Sequence, residues 1–389
     1  MADQIAPPAV PVITGVATAI TAFVGRTPTG PAAPQHCRSF ADFQHSFGDA
    51  TGNYPLTSAV QDFFRNGGTD AIVVRVGGEG GAIGPGDLIG RADRHTGIYA
   101  LDQVDLFNLL CIPPDRDNFP DTDLVRVYQS AAAYGVKRRA MLIADPPRQW
   151  SVAAHAGKFD QIQPSDLGIG TAQARNCAVY FPGIKKPDAA PGGVEKVFAL
   201  SGAVAGVFAA TDRQQGVWKA PAGMTAAIAG IAGLELELTD TQTGLLNPLG
   251  INCLRTFAVG GTVVWGARTL RGADALADDY KYIPVRRLAL YVEESVFRGT
   301  KFAVFEPNGP ALWSSVSSAV GNFMSALWRQ GGLFGTTAEQ AYFVRCDQTT
   351  TTPADIANGV VNIAVGFAPE RPAEFVIIQI QQMAGQAAP

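Results

Sequence analysis

The residues able to carry out acid–base or metal chemistry are few in this sequence and lie far apart. The four histidines form neither an H-x-x-x-H pair nor an H-E-x-x-H motif, the spacings that place two imidazoles on one helix face. The segment "DRDNFPDTD" (115–123) clusters aspartates, but Phe119 and Pro120 occupy its middle. A calcium loop needs a glycine there and a closing glutamate. A solvated loop before a helix N-terminus is therefore the better prediction, since acidic residues are favoured there.

The candidate motifs for phosphate binding and nucleophilic catalysis are also incomplete. The glycine-rich "VRVGGEGGAIGPG" follows an apolar run, but it has no G-x-G-x-x-G frame and continues into loop through Pro85. "ALSGA" around Ser201 lacks the first glycine of a G-x-S-x-G elbow and lies in a predicted helix. Glu293 and Glu294 point to different helix faces, so we expect them to form surface ion pairs with nearby arginines. We predict no catalytic residue, no metal site and no cofactor.

Composition narrows the class of protein further. At 389 residues the chain is long enough for two domains, and a net charge of −4 gives no electrostatic case for nucleic-acid or membrane binding. The five cysteines are widely spaced and lie in or beside apolar runs, which predicts buried free thiols in a reducing cytoplasm. The first residues do not have the pattern of a signal peptide, and no apolar run is long enough for a membrane span.

Strands alternate with helices over residues 15–245, which predicts an outer α/β domain. The predicted strands are 15–25, 71–76, 106–112, 140–145 and 177–181, and the predicted helices lie near 39–47, 56–66, 122–134 and 197–212. The apolar run "AIVVRV" (71–76) is typical of a strand covered on both faces. Residues 146–174 and 182–195 are predicted as loops.

Residues 246–370 have a different pattern, which predicts a C-terminal α+β core domain with mixed sheets. We expect a helix at 284–298, a strand at 301–307 ("KFAVFEP"), and a helix from Pro310 with an apolar stripe. Strands follow at 341–347, 359–367 and 374–380. Residues 1–14 are predicted as an extended N-terminal arm, and 371–389 as a C-terminal arm.

The last predicted strand has no evident partner in its own chain. It comprises Glu374, Phe375, Val376, Ile377, Ile378, Gln379 and Ile380. A free apolar strand is an aggregation hazard unless its edge is occupied. Burying its apolar side chains contributes about 8–15 kcal/mol, and ordering its backbone costs about 7–14 kcal/mol. We therefore expect it to become ordered only in an assembly, as a strand added to a neighbouring copy.

Several longer phrases resemble the contractile tail sheath family. They include "GVATAITAFVGRTPTGP", "LTSAVQDFFRNGGTDAIVVRV", "LTDTQTGLLNPLGINCLR" and "YIPVRRLALYVEESVFRGTKFAVFEPNGPALW". "LWRQGGLFG", "FVRCDQTTTTPADI" and "RPAEFVIIQI" complete the resemblance near the end. The phrases occur in the family's order over most of the chain and leave roughly 77–174 less distinctive.

The resemblance implies a structural protein that is not an enzyme. It implies stacked rings of this chain around an inner tube, with contraction driving the tube through a target envelope. Neighbouring arms are expected to add strands to the C-terminal sheet. The expected acceptor residues are Val361, Ile363, Val365 and Phe367, and the expected N-terminal arm contacts are Ile5, Val10, Val12 and Ile13. Implied partners are further copies, the inner tube protein, and baseplate and terminal cap proteins, with assembly in the bacterial cytoplasm into a phage tail or an injection particle.

Two alternatives remain open at this stage. The N-terminal arm is short and lacks the "PGVYVEE" type of phrase found in many family members, so the chain fits a specialised baseplate-proximal or collar ring as well as the main sheath. An α/β enzyme that binds a nucleotide is supported only by the strand–helix alternation and the glycine loop, and a fold does not imply a function. Stabilisation of the protein by a nucleotide would favour the enzyme.

Overall fold

The computed structural model describes residues 11–48, 54–78, 81–116, 118–186 and 195–374. The strands within these ranges are β1 Thr21–Gly25, β2 Gln35–Cys37, β3 Ala71–Arg75, β4 Leu109–Cys111, β5 Met141–Ala144, β6 Cys177–Phe181, β7 Ile184–Lys186, β8 Lys196–Phe198, β9 Gly233–Leu234, β10 Asn252–Phe257, β11 Gly261–Trp265, β12 Tyr342–Arg345 and β13 Ala364–Phe367. The helices are α1 Phe40–Phe47, α2 Pro55–Arg65, α3 Pro85–Ile89, α4 Asp121–Lys137, α5 Arg148–His155, α6 Ser201–Gln215, α7 Asp240–Leu246, α8 Ile283–Gly299, α9 Pro310–Arg329, α10 Ala338–Ala341 and α11 Pro353–Ala357.

An eight-stranded sheet with the order β11-β10-β6-β5-β4-β1-β3-β2 forms the centre of the molecule. The strands from β10 to β3 run parallel, and the two edge strands β11 and β2 run antiparallel. Every residue of β1, β5 and β6 is buried. This burial explains the uninterrupted apolar runs in the sequence, because a parallel sheet is covered by helices on both faces.

Alternate residues of each strand enter different cores. Ala22 and Val24 of β1 pack into a cluster that includes the apolar side chains of α4 and α5. Phe23, between them, packs into the cluster formed with α1, α2 and α6. Side chains of a strand alternate between its two faces, so the sheet lies between two layers of helices. The predicted mixed α/β architecture is confirmed.

The sheet continues past residue 245. Strands β10 and β11 extend it beyond β6, with Asn252 pairing with Tyr180 and Cys253 with Phe181. A separate antiparallel sheet with the order β8-β7-β9 is formed by strands that lie between β6 and β10 in the sequence. The main sheet thus runs across the predicted boundary at 245/246, and the division into an outer and a core domain stays a prediction.

The C-terminal part is built on two long helices and a two-stranded sheet. The predicted apolar stripe of α9 is buried, including Val316, Ala319 and Val320. These residues form a third core with Leu288 and Val292 of α8. Strands β12 and β13 pair antiparallel, with Val344 opposite Val365, and the apolar side chains of both strands pack against this core.

Some local predictions are wrong. The predicted loop 146–174 contains α5, and 182–195 contains the short strand β7. The glycine-rich segment does lead into a helix, because α3 begins at Pro85. The predicted strand 301–307 is a 3₁₀ turn at Lys301–Ala303, followed by the exposed Val304 and Phe305. A strand needs a hydrogen-bonded neighbour, and within the described ranges none pairs with this connection between α8 and α9.

All five cysteines are buried free thiols, as predicted, and this makes them unreactive. Burial raises the pKa of Cys37 to about 11, with Asp42 and Asp70 adding to the effect, and burial raises that of Cys253 to about 12. Because the thiolate is the reactive form, we expect the native protein at pH 8 to react only slowly with Ellman's reagent. Denaturation in guanidinium should release five equivalents, and rapid labelling of a native thiol would contradict the prediction.

Candidate functional site: the chain ends and the C-terminal sheet

Two aspartates of segment 115–123, Asp115 and Asp121, serve as ion-pair partners. Asp115 is buried and accepts a 2.9 Å hydrogen bond from Nε of Arg26. Asp121 accepts one of 2.8 Å from Nε of Arg116. These carboxylates therefore fasten loops at the carboxyl ends of the strands, and no group of metal-ligating side chains occurs among the residues that the structure describes.

A cleft of about 860 Å³ lies near the carboxyl ends of β5 and β6, the edge at which α/β proteins usually bind ligands. Its lining includes Ser151, His155 and Glu235. The hydroxyl of Ser151 donates to Glu235 at 2.7 Å, and Nδ1 of His155 lies 2.7 Å from the backbone carbonyl of Ser151. A nucleophile relay needs the histidine on the hydroxyl. These three side chains therefore do not form one.

Asp145, at the end of β5, has a structural role. Its carboxylate accepts hydrogen bonds from the hydroxyl of Ser201 (2.7 Å) and from the N–H groups of Leu200 and Ser201. Burial raises the pKa of this carboxyl, and these hydrogen bonds oppose the rise. The carboxylate satisfies free N–H groups at the start of α6, which also accounts for the position of Ser201.

The predicted ion pairs of α8 are confirmed, but the predicted surface position is wrong for Glu294, which is buried. Glu294 accepts hydrogen bonds from Arg139 (2.9 Å) and Arg298 (2.6 Å), and Glu293 accepts one from Arg286 (3.1 Å). Arg139 follows α4, so these contacts fasten α8 to the helical layer of the main sheet. The acidic pair is thus part of the packing between two regions of the chain.

A buried ion pair that the sequence did not predict holds the segment before β1 in place. Arg287 of α8 donates two hydrogen bonds to Asp212 of α6 (2.8 and 2.6 Å), and their side chains are 3% and 5% exposed. The hydroxyl of Thr18 donates to the same carboxylate at 2.6 Å, and Arg287 also donates to the carbonyl of Thr18 at 2.9 Å. The N-terminal segment is therefore held against α6 and α8 at Thr18.

The predicted N-terminal arm divides at Ile13. Val12 is 86% exposed, whereas Ile13 is 7% exposed and packs closely against Gly299 at the end of α8. Ile5 and Val10 lie outside the described residues. Any segment that is free to reach another copy therefore ends before Ile13, and the inter-subunit role of these four residues stays a prediction.

The C-terminal sheet exposes apolar surface beside its predicted acceptor strand. Val361, Ile363, Val365 and Phe367 are half-buried against the third core, and only the last two lie in β13. Phe343 of β12 is 56% exposed and lies against Gly366, its cross-strand partner. A two-stranded sheet is marginally stable alone. Among the described residues each of its strands has one hydrogen-bonded partner strand, and the addition of a further strand stays a prediction.

Of the predicted donated strand, only the first residue is described. Glu374 forms a bidentate ion pair with Arg268, whereas Phe375 to Ile380 lie outside the described residues. Donation of that strand, and its acceptance by Val361 to Phe367, stay predictions.

None of the helices in the described ranges is both long and apolar enough to span a membrane.

These features indicate a protein whose function lies in assembly. The candidate catalytic groups are engaged in structural contacts, and Phe343 exposes apolar surface on the short C-terminal sheet. Residues 97–270 match the phage tail sheath protein central domain, and residues 277–383 match the phage tail sheath C-terminal domain.

Solved structures agree with this match along nearly the whole chain. The chain is 33% identical to a protein in the contracted helical sheath of the anti-feeding prophage, with a TM-score of 0.77, covering 97% of this chain and 96% of that one. It is 32% identical to a chain of the anti-feeding prophage baseplate, also with a TM-score of 0.77 and 97% coverage of both chains. The chain therefore belongs to the contractile tail sheath family, a family of structural proteins.

A phage relative shows the same family over a shorter region. The tail sheath protein of Vibrio phage KVP40 is 25% identical over 162 residues, which is 41% of this chain and 23% of the phage protein. The matched region thus spans about a quarter of the length of that protein.

Proposed function

We propose that this chain is the repeating structural subunit of a contractile sheath. Copies polymerise helically as stacked rings around an inner tube, and contraction drives the tube through a target cell envelope. The observation that carries the proposal is the match to the contracted anti-feeding prophage sheath over 97% of this chain.

Assembly in this proposal uses the C-terminal sheet as an acceptor. The segment Glu374 to Ile380 of one copy pairs with the β12–β13 sheet of another, and apolar side chains set the register. Because donor and acceptor are different surfaces, the contact is heterologous and generates an open helix when its rotation does not close. The half-buried side chains of β13 and the exposed Phe343 support this role.

Contraction in this proposal moves folded subunits as rigid bodies while the donated strands stay paired. We propose that the connections near 367–373 and 7–15 act as hinges. The contacts of Ile13 and Thr18 favour a first hinge before Ile13. The second connection is exposed at Glu370, Arg371 and Ala373 and ends at Glu374, which pairs with Arg268, so it bends between two fixed points.

The proposed partners are further copies, the inner tube protein, and baseplate and terminal cap proteins. We propose neither a nucleic-acid nor a membrane ligand for the free subunit, and no enzymatic activity. Assembly is proposed to take place in the bacterial cytoplasm, as part of a phage tail or an injection particle.

A specialised ring of the same machine is the second candidate. It is favoured by the 32% identity to a chain in the anti-feeding prophage baseplate. Counting copies in purified particles separates the two candidates, because a main sheath subunit occurs in many copies and a special ring in about one ring's worth.

Negative-stain microscopy of the purified protein tests the main proposal. We expect striated, hollow tubes at high protein concentration, because a heterologous contact repeats without limit. Only monomers or closed rings at every concentration would contradict the repeating-subunit proposal.

A further inference from the structure

The strongest unexplained cluster surrounds the buried cation of Arg268, whose side chain is 1% exposed. Its Nε and Nη2 donate to the two carboxylate oxygens of Glu374, at 2.7 and 2.6 Å. The hydroxyl of Tyr282 donates to the same carboxylate at 3.1 Å, and Nζ of Lys281 lies 3.8 Å away. A bidentate arginine–carboxylate pair fixes direction as well as distance. Glu374 is therefore held in one orientation.

Arg268 is itself immobilised from the other side. Its N–H donates to Oδ1 of Asn252 at 2.6 Å, and the amide of Asn252 donates back to its carbonyl at 2.7 Å. Its Nη1 donates to the carbonyls of Asn247 and Gly272 and to Asp274. Asn252 belongs to β10, so the binding site for Glu374 is continuous with the central sheet.

Glu374 is also the first residue of the predicted donated strand and the last residue that the structure describes. The preceding chain is last paired at Ala368 and Pro369, which contact Ala341 and Leu333. Glu370, Arg371 and Ala373 are exposed. The chain thus leaves the C-terminal sheet, crosses an exposed stretch and is fastened again at Arg268.

We propose that the ion pair between Arg268 and Glu374 positions the start of the C-terminal strand, so that this strand can be donated to another copy. This inference rests on the proposed function, and it identifies the positioning residues for strand exchange. Because Glu374 is already fixed before binding, less conformational entropy is lost when the strand associates with another copy. The ion pair also transmits a pull on the donated strand to the central sheet, so the four-residue strand β13 does not carry that force alone.

The alternative is that the pair merely stabilises the fold. Substitutions of Glu374 and Tyr282 distinguish the two roles better than removal of Arg268, which would leave the carbonyls of Asn247 and Gly272 without this donor. Glu374→Gln keeps the shape and removes the charge, and Arg268 then retains Asp274. Glu374→Asp keeps the charge with a shorter reach. Tyr282→Phe removes the hydrogen bond from the tyrosine hydroxyl to Glu374. Glu370→Gln is the matched control, because it neutralises an exposed acid on the same segment.

The experiment measures the critical concentration for tube formation by sedimentation, at a temperature where circular dichroism shows every variant to be folded. We expect at least a ten-fold rise for Glu374→Gln, and smaller rises for Glu374→Asp and Tyr282→Phe. Glu370→Gln should match the wild type. This order supports the proposal, because fold stability alone does not change the assembly of fully folded subunits.

Two results would overturn the inference in different ways. If wild-type tubes form and Glu374→Gln assembles like Glu370→Gln, the pair has no positioning role and the proposed function stands. If the wild type forms no tubes at any concentration, the proposed function fails and the inference fails with it.

Discussion

Deletion of residues 375–389 should abolish tube formation and leave a folded subunit. The deletion stops after Glu374, so its ion pair with Arg268 is kept. The lost strand supplies five large apolar side chains and its main-chain hydrogen bonds, each worth about 0.5–1.5 kcal/mol net. A net loss of about 3 kcal/mol per subunit raises the critical concentration about 100-fold. Sedimentation and negative-stain microscopy measure the loss, and circular dichroism checks the fold.

The matched control deletes only 384–389 and retains the predicted strand. It should assemble like the full chain, because the removed residues contain no large apolar side chain. The truncated subunit lacks a donor but keeps an acceptor sheet, so mixing it with full-length chains should shorten the tubes. Tubes of normal length from the 375–389 deletion alone would rule out strand donation as the basis of assembly.

Most inner strands of the main sheet could be predicted because they are largely apolar runs. The predicted strand 71–76 corresponds to β3 at Ala71–Arg75, and 140–145 to β5 at Met141–Ala144. Both are short apolar runs between helical patterns, which is the local signature of a parallel sheet covered on both faces. The stripe of α9 was predictable for the same reason, since its period of 3.6 extends over twenty residues.

Elements with weak patterns were missed. Helix α5 buries Trp150, Ala153 and Ala154, but it is only eight residues long and follows two prolines. The opposite error occurred at 301–307, where apolar residues suggested a strand. Phe305 is fully exposed there, with a φ of 70°. Local composition does not reveal whether a neighbouring strand is available.

The ion pairs at the chain ends could not be predicted from spacing. Arg268 and Glu374 are 106 residues apart, and Arg287 and Asp212 are 75 apart. Sequence patterns report contacts within a few turns, whereas these contacts depend on the packing of whole elements. The one available signal is an arginine inside an apolar segment, as in "WGARTL" and "VRRLALYV", because a buried arginine needs a partner.

Arg287→Met should destabilise the folded subunit by about 3–5 kcal/mol, because it leaves the carboxylate of Asp212 buried without its cation. Among the described residues, the side-chain carboxylate of Asp212 would then keep the hydrogen bond from Thr18 alone. At about 2–4 °C per kcal/mol for a large domain, the melting temperature should fall by about 6–20 °C. The same change at Arg329, an exposed residue at the end of α9, is the control and should have little effect.

The double variant Arg287→Met with Asp212→Asn separates the ion pair from simple packing. Removing both charges eliminates the unpaired carboxylate, and the asparagine oxygen can still accept from Thr18. We therefore expect the double variant to recover at least half of the lost stability, measured by urea denaturation. Strictly additive losses would show that Arg287 acts through packing alone. Recovery would mean that the contact between the N-terminal segment, α6 and α8 is electrostatic, and would place the fixed base of the N-terminal arm at Thr18.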